Sequence, residues 1–89
     1  MATFLIAYKL NGPERVNDRL IDEIKRTGRC CQSMESIWIV RSSDTCELIR
    51  ERLAKHLNSV DELLVLGLRG HWATSNIGNE CMEWLTQNL

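Results

Sequence analysis

The middle of the chain contains the stretch CCQSMESIWIVR, residues 30–41, and the other elements are placed on either side of it. Cys30 to Met34 is typical of a short strand. Ile37 to Arg41 predicts a stronger strand, because β-branched and aromatic residues favour the extended backbone. Glu35 and Ser36 leave only a tight connection between the two. The stretch therefore predicts a β-hairpin.

A helix is predicted before this hairpin. Pro13 follows Asn11-Gly12 and suits the first helical position, and Gly28 suits the end of the helix. Apolar residues between them recur at helical spacing: Val16, Leu20, Ile21 and Ile24.

A second helix is predicted after the hairpin. Asp44 and Glu47 form a capping-box pattern at its start, and the helix is expected to stop near Asn58 and Ser59. One face of this helix is apolar, with Cys46, Ile49, Leu53 and Leu57.

Two further strands lie outside these helices, Thr3 to Leu10 (TFLIAYKL) and Glu62 to Leu68 (ELLVLGL). Helical spacing of apolar residues from about Gly78 predicts a short C-terminal helix. The order predicts one α+β domain over residues 1–89, a ferredoxin-like βαββαβ sandwich with a four-stranded antiparallel sheet and an extra C-terminal helix.

Composition bounds the function classes. A chain of 89 residues with 44% apolar and 26% charged residues has room for one small core. Its formal net charge of −1 provides no general attraction for nucleic acid or an anionic membrane. Any phosphate binding must therefore be local.

The cysteines and the N-terminus indicate a reduced protein. The apolar start of the chain is short and Lys9 interrupts it, so no signal peptide is expected, and a cytoplasmic location with free thiols is predicted. Cys30 and Cys31 should point to opposite sides of a strand. The spacing of Cys and His residues predicts no metal site, and neither a cofactor nor a membrane span is expected.

The three strong strands carry apolar residues on both faces, whereas right-handed crossovers put both main helices on one face. A large apolar surface is rarely left in water, so we expect a two-fold homodimer to cover the other face. The residues predicted at its interface are Tyr8, Trp38, Leu64 and Leu66. The alternative is a monomer in which the C-terminal helix folds over that face.

Four segments carry a resemblance to a known family: FLIAYKLN (residues 4–11), SMESIWIV (33–40), LLVL (63–66) and GHWA (70–73). The chain resembles the small bacterial proteins catalogued as SinR-like, which are related to the CRISPR-associated Cas-two proteins and to ferredoxin-fold antitoxin endoribonucleases. In the nuclease members the first strand ends in Tyr-Asp, and the resemblance puts that metal-binding aspartate at Lys9. A charged lysine cannot coordinate Mg²⁺, so nuclease activity of the family type is not expected.

Basic residues near strand ends suggest a local phosphate site. With the first and third strands taken as parallel neighbours, Lys9 and Arg41 are expected close together, with Arg69 also at a strand end. His71 follows the last strand and is a further candidate for this site, or for general acid–base chemistry. Trp38 fits the core, a dimer interface or a base-stacking position.

Three functions remain open from the sequence. The first is a non-catalytic Cas-two-like dimer, of bacterial or phage origin, that binds RNA, DNA or a protein partner. The second is an antitoxin-type endoribonuclease that uses His71 or arginines without the aspartate. The third is an inhibitory or structural module that presents its sheet to another protein.

Overall fold

The computed structural model describes residues 1–12 and 17–89. It is an α+β structure with a four-stranded antiparallel sheet and three helices. The elements in chain order are β1 (Ala2–Lys9), α1 (Asp18–Thr27), β2 (Arg29–Met34), β3 (Ile37–Ser42), α2 (Cys46–Ala54), β4 (Glu62–Leu68) and α3 (Asn79–Asn88). The predicted first turn of α1, with Pro13 and Val16, lies outside the described residues.

The strands lie in the order β2-β3-β1-β4, and each pairing between neighbours is antiparallel. The expectation that β1 and β3 run parallel is therefore wrong. The crossover through α1 makes β2 parallel to β1, and the hairpin then turns β3 back between them. Arg41 consequently pairs in register with Thr3, at the opposite end of β1 from Lys9.

One face of the sheet, the helix face, is covered by α1 and α2. Phe4 and Ile6 of β1 and Trp38 and Val40 of β3 form a core there with four helix residues: Leu20, Ile24, Ile49 and Leu53. All four helix residues are fully buried, and each contributes about 1.5–3 kcal/mol of transfer free energy. This cluster is the main core of the protein.

The helix ends differ in detail from the sequence-based expectations. Asn17 caps α1, since its side-chain oxygen accepts from the Leu20 amide at 3.0 Å. Gly28 follows the last turn of α1, as predicted. Thr45, not Asp44, caps α2, and that helix ends at Ala54 rather than near Asn58.

Asp44 has other partners that account for this difference. Its carboxylate accepts from the Ser42 hydroxyl at 3.2 Å and forms a 2.7 Å salt bridge with Arg52. The hydroxyl of Thr45, one residue later, accepts from the Leu48 amide at 3.2 Å. Asp44 therefore ties the end of β3 to α2 instead of capping the helix.

The third helix packs on the opposite side of the sheet, which we call the second face. Cys81 and Leu85 of α3 are buried against Ile39 of β3, with Trp72 from the preceding loop packed beside them. The Thr3 hydroxyl donates to the carbonyl of Asn88 at 3.2 Å and fixes the end of α3 over β1. Among the described residues, no helix has the length and apolar character needed to cross a bilayer.

Candidate functional site

The strand register arranges the second face in rows that run across the sheet. Residues that are directly opposite in neighbouring strands project from the same face, so each row can be read from the pairing. From one end of the sheet to the other the rows are Glu62–Lys9, Leu64–Ala7–Ile37–Met34, Leu66–Leu5–Ile39–Cys31 and Leu68–Thr3–Arg41–Arg29.

The cover that α3 provides reaches only part of this face. It buries Ile39 and lies against Cys31, on the β2 and β3 side. On the β4 side, Leu64 and Leu66 remain 50% and 44% exposed, and Met34 at the far end of its row is 54% exposed. We call Leu64, Leu66, Leu5, Ala7 and Ile37 the open patch. The monomer alternative from the sequence is therefore realised for half of the face only.

The edge of the sheet next to the open patch is also unpaired. Among the described strands, β4 pairs with β1 alone and so presents the amide and carbonyl groups of its outer side to solvent. Such an edge usually carries a charge, a proline or a bulge that prevents pairing with another strand. Between Glu62 and Leu68 the strand carries none of these. It is therefore open to pairing with another chain.

A loop from Arg69 to Ile77 crosses the second face between β4 and α3. It encloses an apolar cleft of about 440 Å³ against Leu5, Ile37 and Ile39 of the sheet and Leu85 of α3. Arg69 and His71 both line this cleft, and His71 is exposed. These two predicted site residues are therefore neighbours of one cleft.

The basic residues separate into two groups. Arg41 is half-buried and lies directly opposite exposed Arg29 on the second face, beside the C-terminal turn of α3. In the described part of the chain the salt bridges involve Arg26, Arg52 and His56, so neither Arg29 nor Arg41 has a carboxylate partner there. Two unpaired guanidinium groups side by side can bind a phosphate or carboxylate in bidentate fashion.

Lys9 lies at the other end of the sheet. Its partner in the register is Glu62, whose carboxylate accepts from the Asn11 side chain at 3.1 Å. Six residues of β1 separate Lys9 from Thr3, the partner of Arg41, which corresponds to about 20 Å of strand. The structure therefore does not bring Lys9 and Arg41 together.

The four predicted interface residues fall on different faces. Leu64 and Leu66 belong to the open patch, whereas Trp38 is buried in the core of the helix face and Tyr8 packs against that core. Trp38 is only 6% exposed, which fits the core alternative rather than base stacking. Its indole Nε1 has no hydrogen-bond partner within the described residues.

The cysteines are placed as the strand and helix patterns predict. Cys30 packs against the core of the helix face and Cys31 against the α3 cluster, and all four thiols are free. Burial, the hydrogen bond with Cys81 and the nearby thiols raise the pKa of Cys31 to about 12. Within residues 1–12 and 17–89, no group of three or more His, Cys, Asp and Glu side chains is placed to hold a metal ion.

No family model, curated protein or solved structure matches the chain. The SinR-like and Cas-two resemblance thus remains a prediction, and the site has to be interpreted from its own geometry.

Sequence reasoning missed Arg29 and Met34 as members of the second face. A two-residue turn at Glu35 and Ser36 pairs Met34 with Ile37, and unbroken pairing from there would put Arg29 opposite Ser42. A register shift between Gln32 and Met34 brings Arg29 opposite Arg41 instead. No residue type near Ser33 signals this irregularity in advance.

Proposed function

We propose that this protein is a ferredoxin-like, non-catalytic binding module that pairs with a second copy of itself through β4 and binds nucleic-acid phosphates at Arg29 and Arg41. The element order β-α-β-β-α-β, the strand order and the two helices on one face support the ferredoxin-like assignment. The observation that carries the dimer is an unpaired edge strand with two exposed leucines beside it.

The sequence of β4 is complementary to itself in the antiparallel direction. If two copies pair around a two-fold axis through Val65, Leu64 lies opposite Leu66 of the partner subunit, and the two open patches become continuous. In the extension of the same register, Asp61 lies opposite Arg69 of the partner subunit at both ends. Apolar residues thus meet at the centre and opposite charges at the rim, as in stable interfaces.

Gly67 fits the same arrangement. A Cβ atom added there would meet nothing within 4 Å, so the space above it on the helix face is open. In the proposed register, Leu63 of the partner subunit lies opposite this glycine. The dimer would therefore fill an empty place on the helix face as well as cover the leucines on the second face.

Sedimentation of the wild-type protein and of Leu66→Lys tests the dimer. We expect a dimer at micromolar concentration for the wild type and a monomer for the variant, because a lysine on a free edge opposes strand addition. Met82→Lys is the matched control, since Met82 is 39% exposed on α3, away from β4. A wild-type protein that stays monomeric at tens of micromolar would contradict the proposal and leave the open patch to a different protein.

The nucleic-acid part of the proposal depends on the arginine pair. Because the net charge is −1, binding must come from a few phosphate contacts and must weaken with salt. We expect fluorescence anisotropy to detect binding of single-stranded RNA or duplex DNA at low salt. Replacing Arg29 and Arg41 by Ala should remove it or, on duplex DNA, lower the salt slope by about 2.

Lys9→Ala serves as the comparison for this experiment, because Lys9 has Glu62 as its neighbour in the register. A loss with Lys9→Ala equal to that of the arginine variant would move the phosphate site to the other end of the sheet. Absence of binding to both nucleic acids at every salt concentration would remove this half of the proposal.

The endoribonuclease alternative has one observation in its favour, the shared cleft of His71 and Arg69. A loop imidazole beside a guanidinium can transfer a proton and stabilise a phosphorane-like charge. Incubation of mixed RNA with and without Mg²⁺ tests it. Cleavage that is independent of Mg²⁺ and lost in His71→Ala would favour the enzyme over the binding module.

A further inference from the structure

Two cysteines from distant parts of the chain meet where α3 crosses β2. The Sγ atoms of Cys31 and Cys81 are 2.8 Å apart, although the residues are separated by 50 positions in the sequence. Cys31 projects from the second face of β2, and Cys81 lies on the buried side of α3 with Leu85. The thiol pair therefore joins the outermost strand to the helix that covers it.

We propose that Cys31 and Cys81 form a modification site, at which a peroxide oxidises the two thiols to a disulfide that fastens α3 to β2. One thiolate attacks hydrogen peroxide to give a sulfenic acid and hydroxide, and the second sulfur then displaces the sulfenic oxygen as water. In total two thiols and one hydrogen peroxide give one disulfide and two molecules of water. The peroxide gains the two electrons that the sulfurs lose.

The geometry selects this pair among the four cysteines. A disulfide needs an S–S distance of about 2.05 Å, so the two sulfurs must approach by less than about 1 Å. Cys30 points to the other face of β2, and Cys46 lies in α2 against the core of the helix face. The sheet therefore separates Cys30 and Cys46 from the thiol pair.

The pair can be reached from solvent. Cys31 is half-buried, and a surface cleft lined by Lys25, Glu80 and Trp84 also touches both Cys31 and Cys81. Burial and the contact with Cys81 raise the pKa of the Cys31 thiol, so little Cys31 thiolate exists at neutral pH and its reaction with peroxide is slow. A sustained exposure to oxidant, rather than a brief one, is the appropriate test.

The experiment compares the full chain, reduced with a phosphine, before and after prolonged incubation with excess hydrogen peroxide. The expected product is lighter by about 2 Da, and peptide mapping should join Cys31 to Cys81. Because the bond closes a loop of about 50 residues, the melting temperature should rise by roughly 10 °C or more and fall back when the phosphine is added again.

The variants separate this pair from the other thiols. Cys31→Ala and Cys81→Ala should each lose the mass change and the rise in melting temperature, whereas the double variant Cys30→Ala with Cys46→Ala should keep both. The wild-type peptide map stands even if a variant fails to fold. A map with Cys31 and Cys81 still reduced, a bond to Cys30 or Cys46, or a bond without a higher melting temperature would overturn the proposal.

Discussion

Gly28 lies at the junction of α1 and β2, where the backbone passes close to β3. A Cβ atom at this position would stand 2.0 Å from the carbonyl oxygen of Arg41 and 3.1 Å from its carbon. Both contacts are with backbone, which cannot move aside without breaking the β2–β3 pairing. The glycine therefore sets how closely Arg29, the next residue, approaches Arg41.

We expect Gly28→Ala to destabilise the protein by about 2 kcal/mol or more, because the extra methyl group must displace a paired strand. Urea denaturation followed by circular dichroism measures the change. Gly67→Ala is the control, since nothing lies within 4 Å of the added atom and no loss is expected. Equal midpoints for wild type and Gly28→Ala would show that the junction is looser than described.

Ser36 occupies the left-handed region of the backbone with φ 64°, in the turn of the β2–β3 hairpin. A side chain other than glycine or asparagine costs about 1–2 kcal/mol in that conformation. Ser36→Asn should therefore raise the free energy of unfolding by roughly 0.5 kcal/mol, and Ser36→Val should lower it by more than that. Urea midpoints of the two variants give the test, and the opposite ranking would contradict it.

At the scale of elements, Asn17 connects the two helices of the helix face. Its side-chain oxygen caps α1 through the Leu20 amide, and its side-chain nitrogen donates to the carbonyl of His56, after α2, at 2.6 Å. The His56 ring in turn lies 3.1 Å from Glu23 of α1. The entry to α1 and the exit from α2 are thus joined by three side chains.

We expect Asn17→Ala to cost about 1–2 kcal/mol, because it removes a helix cap and leaves the His56 carbonyl without its donor. Asn17→Asp keeps the capping oxygen and loses only the donated bond, so its cost should be smaller. Thermal unfolding of the two variants separates these contributions. If both changed the melting temperature equally, the cap would contribute nothing.

The elements themselves were predictable because their signals are local. Apolar spacing located Leu20 and Ile24 in α1 and Ile49 and Leu53 in α2, and all four are buried in the core. The cap of α2 was not predictable, since Asp44 and Thr45 are both good capping residues. The choice was made by Arg52, eight residues away from Asp44, which binds its carboxylate.

At the scale of the whole molecule, the candidate site was only partly predictable. The two apolar faces of β4 could be read from the sequence, and Leu64 and Leu66 are indeed exposed. The positions of the basic residues could not, because the direction of β3 and the register shift between Gln32 and Met34 decide them. The half-cover by α3 also depends on how the Arg69–Ile77 loop crosses the sheet, for which the sequence carries no periodic signal.

A dimer that forms through β4 links assembly to folding, and this gives a prediction for the whole molecule. If the unfolded chain is monomeric, mass action makes the melting temperature of a dimer rise with protein concentration. We expect a rise of roughly 3 °C for each tenfold increase in the wild type. Leu66→Lys should melt at one temperature over the same range, because its folded state is monomeric, whereas Met82→Lys should behave like the wild type.

The slope separates this dimer from the other readings of the open patch. A monomer whose patch awaits a different protein would show no concentration dependence in any of the three chains. A dimer that forms through α3 would instead lose its slope in Met82→Lys and keep it in Leu66→Lys. Only pairing through β4 makes the Leu66 variant, and not the Met82 variant, independent of concentration. Differential scanning calorimetry over two decades of concentration therefore identifies the interface as well as the oligomeric state.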